Sequence, residues 1–267
     1  MELRLLCVGD VVGAPGRQAL REGLARLIPE RNIDCVIVNA ENAAAGSGLT
    51  PDLCDKVLRY GTDLITLGDH IYRRREIIPV LERSDRIVKP ANLPLTAPGK
   101  EFAVFQTKSG HRVAVISLLG RMFMKQMVNC PFAAVDRVLA QVPKDVRIVV
   151  VDMHAEATSE KVAMGWHLDG RVSVLFGTHT HIPTADERVL PKGTAYITDL
   201  GMTGPYDSVL GRDKRKVVST MISGVPDNFD VAEDDARLCG IIVTADPTSG
   251  LAKGIERVCF LSKSNTL

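Results

Sequence analysis

Five apolar runs in this chain each lead, on the carboxyl side, into residues able to bind a metal ion. Leu3–Val8 is followed by Gly9-Asp10, and Ile33–Val38 by Asn39-Ala40-Glu41-Asn42. Leu64–Leu67 leads into Gly68-Asp69-His70, Val146–Val151 into Asp152-Met153-His154, and Val172–Phe176 into Gly177-Thr178-His179-Thr180-His181. Short, nearly continuous apolar runs are what strands covered on both faces look like. Ligands of open α/β sheets bind outside the carboxyl ends of their strands. A chain like this needs a fold that brings those strand ends to one edge.

The segments between the runs supply the rest of such a fold. Leu20, Leu24 and Leu27 give helical spacing over Arg17–Leu27. Pro51–Leu58 reads as a helix with Pro at its first position and Thr50 as its cap. A charged helix is expected near Arg73–Leu81 and another over Phe132–Val142. Phe102–Gln106 and Arg112–Leu118 read as a hairpin about Lys108-Ser109-Gly110, and Leu238–Thr244 with Ile255–Phe260 as a second. Ala195–Thr198 is a further strand, leading into Asp199-Leu200-Gly201. Alternating strands and helices followed by hairpins predict an α/β protein with a mixed sheet or two stacked sheets and helices outside. With no linker, repeat or low-complexity segment, residues 1–267 are expected to form a single domain.

Composition excludes several function classes. A hydrophobic share of 45% with 24% charged residues is that of a globular chain, not a disordered one. The net charge of +1 supplies no bulk basic field for nucleic acid or an acidic membrane, so an anionic ligand must be held by a local site. The first ten residues lack the pattern of a signal peptide, and no run approaches the ~18 apolar residues of a membrane span. The six cysteines are scattered without a CxxC pair, which points to free thiols and a cytoplasmic setting.

Each strand-end residue has a plain alternative. Asp10 could cap the following helix, Glu41-Asn42 could merely begin a loop, and His154 could be a hydrogen-bonded structural histidine. His179 and His181 carry more weight, because alternate residues of an extended segment point the same way. Ligand types at all five strand ends are harder to attribute to accident. Three histidines, carboxylates and an amide, with no thiolate, suit iron, manganese or zinc. Two ions about 3.5–4 Å apart, bridged by a carboxylate, could use them all, and such a pair suits phosphoester hydrolysis. Competing motifs fail on detail: there is no GxGxxG, no GxxxxGK[ST] and no GxSxG, and His154-x-Glu156 lacks the PCxxC of zinc deaminases. His111 and His167 fall outside the pattern and are expected to be solvated.

In order along the chain stand Gly9-Asp10-Val11-Val12-Gly13, Asn39-Ala40-Glu41-Asn42-Ala43, Gly68-Asp69-His70, the stretch from His154 to Lys161, Gly177-Thr178-His179-Thr180-His181, and the stretch from Thr198 to Asp207. With these motifs the chain resembles the YmdB-type phosphodiesterases of the calcineurin-like metallophosphoesterase superfamily, from Leu3 to about Phe260. The resemblance implies a four-layer α/β/β/α sandwich of two stacked mixed sheets. It also implies a dinuclear centre of two divalent or mixed-valence ions, iron or manganese with zinc as an alternative. Asp10, Asn42 and His181 would hold one ion and Asp69, His154 and His179 the other, with Glu41 bridging. His70 would be the catalytic residue near the leaving group. The implied activity is hydrolysis of 2′,3′- and 3′,5′-cyclic nucleotides, or of another small phosphodiester, by a metal-bridging hydroxide. Gly13, Ser47 and Arg121 are candidates for substrate contact, although structural roles explain them as well, and a homo-oligomer is left open. One departure stands out: the family pattern GNH is here Gly68-Asp69-His70, which adds a carboxylate. Asp69 either remains a ligand and shifts metal preference, or it weakens the site and leaves a regulatory protein that binds nucleotides or partners.

Overall fold

The computed structural model describes residues 2–263; residue 1 and residues 264–267 of the expected domain lie outside the described residues. Its layers follow from the two-residue alternation of the strands. In β1 (Leu3–Val8), Leu3, Leu5 and Cys7 face one core and Leu6 and Val8 another. β2 (Cys35–Asn39) divides the same way, Cys35 and Ile37 against Val36 and Val38. β6 (Arg112–Leu119), β7 (Ile148–His154) and β8 (Val174–Thr178) send Val113, Ile148, Val150 and Phe176 into the core shared with Leu5 and Ile37. Ile116, Val151 and Leu175 face away, into a third core. The shared core is the contact between two stacked sheets, and the other two lie between each sheet and its helices.

In the first sheet the order is β11 (Gly204–Pro205), β12 (Ala236–Ala245), β1, β2, β3 (Leu64–Thr66) and β4 (Ile87–Val88), with β13 (Ala252–Leu261) also paired to β12. β1 to β4 are parallel, and β12 lies antiparallel to β1. The second sheet runs β5 (Phe102–Gln106), β6, β7, β8, β10 (Ala195–Ile197) and β9 (Arg188–Val189). Here β6, β7, β8 and β10 are parallel, and β5 and β9 are antiparallel at the edges. Leu24, Val57 and Leu81, from α1 (Gly13–Glu30), α2 (Pro51–Arg59) and α3 (Ile78–Arg83), cover the first sheet. Val138 and Met164, from α4 (Pro131–Leu139) and α5 (Thr158–Leu168), cover the second. The architecture is the four-layer α/β/β/α sandwich of the metallophosphoesterases. Emptying a core position such as Leu6 would cost about 2–5 kcal/mol.

Local chemistry sets the entry to the helices. Thr50 accepts a hydrogen bond from the Leu53 N–H at 3.3 Å and caps α2, a contact worth about 1 kcal/mol. Asp10 does not cap α1. That helix starts after Val12 without a side-chain cap, and the Gly13 N–H donates to the Asn42 carbonyl at 3.0 Å from a left-handed φ of 62°. α5 has no clear signal in the sequence, because Lys161 and Gly165 interrupt its apolar stripe. His167, expected in water, lies on α5, packs edge-on against Phe132 and bonds Asp136 at 2.9 Å, tying α5 to α4. The six cysteines are free thiols. Among the described residues, no helix is long and apolar enough to cross a membrane.

Candidate metal centre

Toward its carboxyl edge the core between the sheets turns from apolar to polar along the same faces. Asn39 follows Ile37 on β2, Thr66 follows Leu64 on β3, Asp152 and His154 follow Val150 on β7, and Thr178 follows Phe176 on β8. The first polar layer centres on Asp152, which is fully buried. Its carboxylate accepts from the Asn39 amide at 3.0 Å and from the hydroxyls of Thr66 and Thr178, each at 2.6 Å. Burial dominates and pushes its pKa up to about 6, against the lowering effect of His154 and those hydroxyls.

Above that layer the expected ligand residues meet. His154 Nε2 lies 3.1 Å from Asp69 Oδ1, 3.4 Å from Glu41 Oε1 and 3.1 Å from His179 Nδ1. Asp10 Oδ1 is 3.8 Å from His154 Nδ1, and the Asn42 amide nitrogen is 3.2 Å from His181 Nε2. His70 Nδ1 is 2.7 Å from Asn42 Oδ1, while its backbone N–H donates to Glu41 Oε2 at 3.1 Å. Asp69 with His154 and His179, Asp10 with Glu41 and His154, and Glu41 with Asp69 and His70 form three overlapping groups, each close enough to share an ion. The first group coincides with one of the implied ligand sets; the second places Asp10 with Glu41 and His154 as well as near His181.

Each of the three ligand-type histidines has an outer partner for one nitrogen and a second nitrogen turned inward. His154 Nδ1 meets the Thr178 hydroxyl at 2.8 Å, and because that hydroxyl donates to Asp152, it accepts from the imidazole. His179 Nε2 faces Glu156 Oε2 at 3.1 Å, and His181 Nδ1 faces the Leu210 carbonyl at 3.0 Å. With the outer nitrogens taken by those partners, His154 Nε2, His179 Nδ1 and His181 Nε2 face the cluster and are the atoms that would bind an ion. Outer partners of this kind set the tautomer and orientation of metal-ligating histidines.

The electrostatics also fit cations. Burial alone would lower the His154 imidazole, but the carboxylates of Glu41, Asp69 and Asp10 outweigh it and raise the pKa to about 10. Burial opposes ionisation of Asp69 and Glu41, yet the neighbouring imidazoles hold Asp69 well below the carboxylate range and lower Glu41 too. Asp10 goes the other way: burial dominates and raises it, and its Oδ1 is buried without a hydrogen-bond partner among the described residues. A buried acceptor with no donor, among imidazole nitrogens and carboxylates, is suited to a metal ion.

The segment carrying His179 and His181 is not extended. β8 stops at Thr178, and the two histidines take φ values of 96° and 65°, a left-handed backbone that costs on the order of 1–3 kcal/mol per residue. Thr180 between them is held by Asp199, whose Oδ2 accepts from the Thr180 hydroxyl at 2.8 Å and from Lys161 Nζ at 2.7 Å. Lys161 and Asp199 are both buried.

The candidate substrate residues are held by local contacts. Gly13 bonds the backbone of Asn42, and its α-carbon is closed in by Val231. Ser47 is half-buried in the loop after Asn42, and Arg121 is exposed, with its backbone N–H on the Glu160 carboxylate. Several contributors escape sequence reading. Asn39, Thr66, Asp152 and Thr178 were detectable as polar residues continuing the period of an apolar face. Glu156 and Gln126, whose side-chain amide donates to Asp69 Oδ2 at 3.1 Å, come from loops and leave no such signal.

Comparison with known proteins identifies the family and the fold. A family model described as YmdB-like protein matches residues 6–258. The 2′,3′-cyclic-nucleotide 2′-phosphodiesterase of Bacillus subtilis (strain 168) is 42% identical over 256 residues, covering 96% of each chain. A putative phosphatase/phosphodiesterase of Mycoplasma pneumoniae is 34% identical over 91% of this chain and 88% of its own. Among solved structures, a hypothetical protein from Thermus thermophilus superimposes with a TM-score of 0.90 at 37% identity, covering 98% of this chain and all of that one. A novel phosphatase from Mycoplasma pneumoniae gives 0.91 at 31% identity, covering 99% and 95%.

Proposed function

Because the chain belongs to the YmdB-like protein family, we propose that it is a metal-dependent phosphodiesterase that opens 2′,3′-cyclic nucleotides and, at the same site, 3′,5′-cyclic monophosphates. The observation that carries the reading is the convergence of His154 Nε2 and His179 Nδ1 on Asp69, with Glu41 and Asp10 beside His154. Asp10, Asn42 and His181 would hold one ion, Asp69, His154 and His179 the other, and Glu41 would lie between them. When bound, two such ions, iron or manganese with zinc as the alternative, supply a water that ionises near neutral pH and positive charge for the phosphoryl oxygens.

The chain's own groups do the rest. Thr178 and Asp152 keep the His154 proton on the far side of its ring. Asn42 Oδ1 engages His70 Nδ1, which leaves His70 Nε2 to give a proton to the departing ribose oxygen. Burial would lower the His70 imidazole, but its bond to Glu41 raises it, so the protonated form that this step needs is favoured. One water is added across the P–O2′ bond; the 2′ oxygen leaves as a hydroxyl and the 3′-monophosphate is the product. The six free thiols support the cytoplasm as the setting.

Metal analysis of the purified protein, combined with hydrolysis of bis-p-nitrophenyl phosphate and 2′,3′-cyclic AMP, tests the proposal. The expected result is bound metal with turnover of both substrates, and loss of both metal and turnover in His154→Ala. Metal-free protein that binds the nucleotide without hydrolysing it would overturn the reading in favour of a regulatory binding protein.

A further inference from the structure

The segment between β6 and α4, residues 120–130, is tied to the candidate centre at two points. The Gly120 N–H donates to the His154 carbonyl at 2.9 Å, and the Gln126 side chain donates to the backbone and carboxylate of Asp69 at 3.2 and 3.1 Å. The backbone of Arg121 and Met122 is fixed on Glu160, Asn129 on Asn92, and Met124 and Val128 pack into the helix-side core of the first sheet. Despite these anchors the segment holds two large apolar side chains in water, Phe123 at 81% exposure and Met127 at 95%. Phe123 also sits at φ 63°, a left-handed backbone that a bulky side chain rarely adopts. The Gln126 amide oxygen, between them in sequence, is buried without a hydrogen-bond partner among the described residues.

We propose that Phe123 and Met127 form the platform on which the nucleobase of the substrate stacks, beside the metal-ligand cluster. The inference rests on the cyclic-nucleotide reading above and names what discriminates a nucleotide from a bare phosphodiester. A planar heterocycle is the occupant that suits an exposed ring and a polarizable thioether on the segment that Gln126 ties to Asp69: every base has a π-face for Phe123, and sulfur packs well against aromatic rings.

The test compares kcat and KM for 2′,3′-cyclic AMP with those for glycerol 1,2-cyclic phosphate, which carries the same five-membered ring and no base. The wild-type protein is expected to favour the nucleotide in kcat/KM. Phe123→Ala should raise its KM about tenfold, the worth of one stacked base, and collapse the preference with little change in kcat. Phe123→Tyr should restore the preference, and Met221→Ala, an equally exposed methionine on α6 (Lys214–Ser223), should leave it at the wild-type ratio. An unchanged ratio in Phe123→Ala would overturn the platform, including the case in which that variant instead dissociates a dimer. Equal wild-type turnover of the two substrates would overturn the platform alone. Turnover of neither would overturn the phosphodiesterase reading and the platform with it.

Discussion

Asp69 differs from the Asn expected at its position by a single atom, an oxygen in place of an amide nitrogen. The structure keeps it in contact with the candidate centre, 3.1 Å from His154 Nε2 and 3.6 Å from His179 Nδ1. An added carboxylate makes the site less positive, which weakens attraction for an anionic diester and favours a more oxidised metal partner. Asp69→Asn is therefore expected to lower the ferric share of bound metal in elemental and spectroscopic analysis. It should also raise kcat/KM for bis-p-nitrophenyl phosphate by about tenfold, on the order of 1.4 kcal/mol. Unchanged metal content together with unchanged kinetics would count against an inner position for Asp69. At this scale the ligand types were legible because Asp10, Glu41, Asp69, His154 and His179 follow apolar runs. Their outer partners were less so: Thr178 continues the period of an apolar face, but only the fold shows which nitrogens it and Glu156 meet.

Strand type was readable element by element, while the backbone shape beyond the strand ends was not. β5 occupies its expected residues, and β1 does too, because alternating and continuous apolar runs have few other solutions. β7 and β8 extend past their apolar runs to His154 and Thr178, since polar residues can stay in a strand when partners await them between the sheets. Sequence alternation predicts an extended His179–His181 segment that aims both rings one way. Two left-handed residues aim them instead, and the buried Lys161–Asp199 pair holds that shape through Thr180. Removing one partner of a buried ion pair strands the other charge, which usually costs about 3–5 kcal/mol. Lys161→Met should lose stability of that order in urea unfolding and bind metal more weakly in a titration. Wild-type stability in that variant would refute the bracing role.

The candidate centre belongs to neither sheet alone. Asp10, Glu41, Asn42, Asp69 and His70 come from the edge of one, and His154, His179 and His181 from the other. The order of runs and hairpins left a mixed sheet or two stacked sheets, and the family resemblance pointed to the stack; the division of ligands was not legible, because the face-to-face contact of β3 with β6 is tertiary. An ion held by both groups would cross-link the sheets. At a free concentration ~100 times its dissociation constant it would add about 2.7 kcal/mol. Chelation should then lower the melting temperature by roughly 5–10 °C and speed hydrogen exchange at the carboxyl ends of β1, β2, β7 and β8. Complete metal loss with no thermal shift would contradict the cross-link.

The position of β12 has a consequence for how the protein is made. β1, which leads into Asp10, lies between β2 and β12, and β12 begins only at Ala236. A growing chain has translated every candidate ligand long before it can flank the first of them on both sides. An ion at this centre would thus be a late arrival, seated by a nearly finished polypeptide rather than a nucleus around which the early segments gather.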